Sequence, residues 1–137
     1  MLDRLRNRLR DERGASAVEF AMIVPLLIAL VLGIAEFGHA FSVQGTLSAA
    51  AREGARAMAL QNDQAAARTA VRGAAPTLDP GITNAQITIT PASCPLLGGT
   101  TSSTYVSVTI RYPKPFLTGL FGSGVALTAR GVMRCNG

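Results

Sequence analysis

Tryptophan is absent from this chain, histidine occurs once, cysteine twice, and aromatic residues make up only 5% of the sequence. That scarcity excludes a dense aromatic core. Hydrophobic residues still reach 48%, chiefly as Ala, Val, Leu and Ile, which suits a membrane helix with an Ala-rich continuation. The lone histidine, His39, is remote in sequence from Cys94 and Cys135, too few ligands for a zinc site. It also leaves no credible Ser/His/Asp set. Asp63 and Asp79 have no acidic companion nearby for acid–base work. Gly98-Gly99 lacks the lysine of a phosphate loop. Arg111, Tyr112 and Lys114 are too few to form a basic, stacking stripe for nucleic acid. These gaps lead to an expectation of no catalytic residue, no metal, no cofactor and no nucleic-acid partner.

What is present is unevenly placed. The chain has 137 residues and a net charge of +5, room for about one modest domain. Residues 1–14 hold Arg4, Arg6, Arg8, Arg10 and Arg13 against Asp3, Asp11 and Glu12. Immediately after them, Phe20–Ala35 (FAMIVPLLIALVLGIA) carries no charge. With Ala15–Glu19 added, the stretch reaches about 31 Å as a helix, against a hydrocarbon core of about 30 Å. Bases lie before it, and the far flank has Glu36 and no base until Arg52. The positive-inside rule therefore predicts a single pass with the N-terminus in the cytoplasm and the remainder exported.

Glu19 is the anomaly in this stretch. A carboxylate costs about 3 kcal/mol near the centre of a membrane helix, and less near the interface. If a peptidase cut after Gly14, Ala15 would carry a new ammonium, which could neutralise Glu19 of a neighbouring subunit at low dielectric. The plainer alternative is an interfacial Glu that snorkels or is protonated.

Gly14 followed by Ala15, Ser16, Ala17, Val18, Glu19 and Phe20, between a basic leader and an apolar run, resembles the processing site of type IV prepilins. More narrowly, RGASAVEFAMIVPLLIALVLGIAEFGHAF and the following AAREGARAMAL resemble the TadE-like family of tight-adherence pilus pseudopilins, continuously from about Arg13 to Leu60. The resemblance implies cleavage of the Gly14–Ala15 bond by an aspartyl prepilin peptidase. It further implies an assembly role for Glu19 and Phe20, and a place for Pro25 within the membrane helix. The implied partners are the prepilin peptidase, other pilin or pseudopilin subunits, the pilus assembly platform and the bacterial inner membrane. Two competing readings remain open. Gly33-Ile34-Ala35 has the small-residue spacing of a signal-peptidase site, and cutting there would release a soluble protein. A bitopic membrane protein that never polymerises, with a periplasmic binding domain, is the other.

The helix is expected to run from Ala15 to Leu60, with Ala40, Leu47, Ala51, Gly54 and Met58 on one apolar face. Gly33, Ala40, Ala51 and Gly54 either permit close approach of another helix or reflect composition alone. His39 reads as an interfacial polar residue. Beyond the helix, Asn62 and Asp63 can cap a short helix, Gln64–Arg72, closed by Gly73 and Pro76. Alternation predicts strands over Ala85–Thr90 and Thr104–Tyr112. A weaker one spans Val125–Arg134, where Gly131 would mark a bulge. Pro91–Ser103 and Pro113–Gly124 read as loops, the second apolar enough for a lid or contact surface. Cys94 and Cys135 are expected either to pair as a disulfide, as suits an exported domain, or to remain two buried thiols.

The expected fold class is α+β: a leader (1–14), a transmembrane helix (15–36), its periplasmic continuation (37–61) and a small three-stranded antiparallel head (62–137). The Ala-rich end of the helix is expected to cover the apolar face of the sheet.

Overall fold

The computed structural model describes residues 2–95 and 105–135, with side chains from residue 14 onward. The leader arginine side chains, the 96–103 part of the predicted loop with Gly98-Gly99, and Thr104 lie outside these. Helix α1 (Leu2–Gln61) is followed by α2 (Gln64–Ala74), a short 3₁₀ turn (Asn84–Gln86), and strands β1 (Ile87–Thr90), β2 (Tyr105–Pro115) and β3 (Gly124–Arg134). The fold is α+β. Two compact units divide the chain, Met1–Gly38 and His39–Gly137.

The first unit is helix throughout its described residues. Pro25 is inside that helix, where its ring removes one backbone donor, a loss that membrane helices tolerate. The apolar side chains are not shielded: Phe20 is 69% and Leu26 72% exposed.

The second unit has its own core. Its three strands form an antiparallel sheet in the order β1-β2-β3. Alternation in β2 turns Val106, Val108, Ile110 and Tyr112 to the buried face. The continuing helix covers that face with Val43, Leu47, Ala50, Ala51 and Ala55. A second cluster joins Met58 and Ala67 to Val106 and to Cys94 and Cys135. Each fully buried Leu or Val contributes about 1.5–3 kcal/mol.

Several sequence expectations shift. Helix α2 continues through Gly73 to Ala74, with Asp63 as N-cap accepting from the Ala65 N–H. The first strand begins at Ile87, because Asn84–Gln86 forms the 3₁₀ turn. Pro113–Pro115, expected in a loop, belong to β2 and pair with Gly124–Ala126. Sheets confine proline to unpaired edges, and β1 pairs with β2 only as far as Ile110.

Gly131 is not a bulge. It pairs in continuous register with Val108, and a Cβ there would come within 2.3 Å of the Ala51 backbone. Helix and sheet therefore touch backbone to backbone at this point, which only glycine permits. On the neighbouring turn of α1, a Cβ at Gly54 would meet Val71 Cγ2 at 2.4 Å. Ala51 and Gly54 serve packing within this chain: Ala51 meets Gly131 of the sheet, and Gly54 admits the close approach of α2 through Ala67 and Val71.

Candidate functional site

The residues singled out for processing and assembly all lie in the first unit. Gly14, Ala15, Glu19, Phe20 and Pro25 are exposed along one helical stretch. A Cβ added at Gly14 would meet nothing within 4 Å. Gly14 is thus the opposite of Gly131, since no contact within the chain demands glycine there. Glu19 follows Ala15 by four residues, one helical turn or about 6 Å along the axis. Around it the surface is apolar: Val18, Phe20, Met22 and Ile23 are exposed. From Gly14 the helix is long and apolar enough to cross a membrane, with mean hydropathy 2.5 over its most apolar window. An apolar surface of this extent marks an interaction with lipid or protein. One such helix fits a single-pass membrane protein.

The described residues of the second unit offer no comparable reactive cluster. His39 is exposed, and no group of three His, Cys, Asp or Glu side chains suited to a metal occurs among the described residues. Tyr112 is buried and donates its O–H to the Pro80 carbonyl at 2.7 Å. Burial, and secondarily the nearby Asp79 charge, raises its phenol above the ordinary value. This contact ties the loop before β1 to the sheet, and no reacting partner accompanies it.

A clasp joins the end of α1 to the chain terminus. Asn62 has φ 51°, a left-handed conformation that asparagine adopts more readily than most residues. Its N–H donates to the Met58 carbonyl at 2.9 Å. Its side-chain amide accepts from the Cys94 N–H at 2.6 Å and donates to the Cys94 carbonyl at 3.4 Å. Gln64 adds a bond to the Ala92 carbonyl at 2.8 Å. Cys94 is in turn disulfide-bonded to Cys135, with Cα atoms 5.6 Å apart. The cysteine pair was among the sequence expectations, but the part played by Asn62 was not. The available signal was an asparagine directly after a long helix, which marks a left-handed C-terminal residue and leaves its amide free to reach another segment.

No curated protein and no solved structure shows a significant match to the chain. One family model does match, and it covers the N-terminal stretch and the first turns of the head. Residues 14–56 match the family described as TadE-like protein, a family of pilus structure and assembly, so the likeness covers the exposed helix and the part of α1 that enters the head.

Proposed function

We propose that this chain is a minor pilin or pseudopilin of a tight-adherence pilus system, cut between Gly14 and Ala15 and held in the inner membrane by the stretch that follows. The leader stays in the cytoplasm and the head is exported, in keeping with the five arginines just before the apolar stretch and the lack of a base on its far side until Arg52. The observation that carries this reading is the TadE-like match beginning at Gly14, a glycine without a packing role. Exposed apolar side chains on the first unit supply the surface that assembly would bury. The ammonium freed at Ala15 meets Glu19 of an adjoining subunit and offsets the cost of a lone carboxylate among apolar groups.

Intact mass of the protein from cells with a working pilus apparatus tests this directly. The expected mature chain starts at Ala15, and Gly14→Leu retains the leader while inserting normally. Glu19→Ala should keep membrane insertion and abolish assembly into pili. A mature chain that keeps its arginines, or one that starts at Glu36, refutes the proposal.

A further inference from the structure

The outward face of the sheet has no assigned role. Strand alternation sorts its charges. Val106, Val108, Ile110 and Tyr112 of β2 face the core, and so does Lys114, which is buried and donates through Nζ to the Pro115 carbonyl at 2.6 Å. Arg111, at the opposite parity, points away from the core and is exposed. On β3, Ala129 and Gly131 are the inward residues, which leaves Arg130 and Arg134 exposed on the same side as Arg111. The register makes these arginines neighbours. Arg111 pairs with Thr128, two residues from Arg130, a diagonal of about 7–8 Å. Arg134 is four residues beyond Arg130, about 13 Å along the strand.

Hydroxyl groups fill the spaces between them. Thr109 stands opposite both Thr88 and Arg130, Ser107 stands opposite Thr90, and Tyr105 stands opposite Arg134. No carboxylate side chain shares this face. From Pro80 to the C-terminus the sequence has no Asp or Glu. The other acidic residues of the unit are elsewhere: Glu53 is on α1, which covers the opposite face, Asp63 caps α2, and Asp79 lies beside the inward Tyr112. The outward face is therefore a flat array, about 20 Å long, of arginines set among hydroxyls.

We propose that this face binds an acidic polysaccharide, a chain that carries carboxylates at intervals and hydroxyls between them. Guanidinium groups hold carboxylates through two parallel bonds, and Thr and Ser both donate to and accept from sugar hydroxyls. The same features disfavour other occupants. A nucleic acid strand needs successive aromatic platforms, and Tyr105 is the lone aromatic residue on this face. Lipid insertion needs a group of apolar side chains, where the face offers Val132 between two arginines. A second copy would have to bring acids, and the sequence from His39 onward has only Glu53, Asp63 and Asp79, on separate elements. An extended peptide adds to a sheet edge through its backbone and not to a face. The proposal rests on export of the head, as read above, because such polymers lie outside the cell.

The full chain, purified in mild detergent from cells with a working pilus apparatus, is titrated into fluorescein-labelled oligogalacturonate, and anisotropy is read. Variants are compared because the leader arginines, where retained, attract any polyanion. Arg111→Gln, Arg130→Gln and Arg134→Gln should each weaken binding about fivefold, and the triple variant should weaken it further. Arg56→Gln, at an exposed arginine of α1, removes the same charge away from this face and should leave binding unchanged. Labelled neutral dextran should not bind. Absence of binding, or losses for Arg56→Gln equal to those of the face variants, overturns the proposal. Tighter binding of single-stranded DNA or phosphatidylglycerol vesicles through the same three arginines overturns it in favour of another polyanion. Intact mass of the same samples keeps the two readings apart. A chain that starts at Ala15 and fails these tests leaves the pilin reading standing. One that keeps its leader yet passes them removes that reading and leaves the face its ligand.

Discussion

Leu26 and Leu47 belong to one continuous helix, yet Leu26 is 72% exposed and Leu47 fully buried. In the first unit, most of the described apolar side chains are exposed. In the second, Leu47, Ala51 and Met58 are covered by the sheet and by α2. Hydrophobicity is shared, and what differs is who supplies the partner surface. The first unit leaves an apolar surface of the kind that marks an interaction with lipid or protein, and the second makes its own cover.

The largest expected effect comes from truncating this pair of leucines. Leu47→Ala should destabilise the head by about 3 kcal/mol in urea unfolding of the full chain in mild detergent, the typical loss for a buried leucine. Leu26→Ala should leave that unfolding midpoint where it was. Equal losses at both positions would break the contrast between the units.

Next in size is the backbone contact. Gly131→Ala forces a methyl group onto the Ala51 backbone, where no flexible side chain can yield, and should cost about 2–3 kcal/mol. Gly14→Ala, which meets nothing, serves as the matched control in the other unit. An unchanged midpoint for Gly131→Ala would mean that helix and sheet do not meet at Gly131.

Asn62→Ala should be milder, about 1–2 kcal/mol, through loss of the two amide bonds to Cys94 and the poorer left-handed tolerance of alanine. Hydrogen exchange at Cys94 should accelerate, while the amides of the first unit stay as they were. Protection that is lost equally in both units would contradict a clasp local to the head.

The smallest effect appears only at alkaline pH. Burial raises the Tyr112 phenol, so the native state holds this proton more tightly than the unfolded chain does. Stability is complete below the unfolded value, near pH 10, and declines as pH climbs from there through the folded value. In Tyr105→Phe, which leaves Tyr112 as the only tyrosine, phenolate absorbance should rise at higher pH in the folded protein than in urea. Coincident curves would show that the head leaves this phenol in water.

Much of the architecture could be read along the chain. The uncharged run after Glu19, taken together with Ala15–Glu19, announced a helix long enough to span a bilayer. Regular alternation identified Ile87 and Ile89, and Val106 to Ile110, as the inward residues of two strands. Leu47, Ala51 and Met58 could be assigned to one face by helical spacing. Pro113 and Pro115 misled, because proline signals a loop unless the pairing pattern leaves an unoccupied edge. Gly131 misled for a related reason: a glycine within a strand has the same local signature whether it serves a bulge or a close backbone contact.

Run length, spacing and charge asymmetry are properties of neighbours in sequence, and by themselves they determined the apolar helix and the α+β class, while the likeness to the TadE-like family lies in the residues of 14–56 themselves. Tertiary structure alone decided the strand order and the duties of the small residues. It engaged Ala51, Gly54 and Gly131 in the head, left Gly14 without contact, and placed Asn62 against Cys94. The physical reason is that close approach depends on distances between residues far apart in the chain, which no local pattern encodes.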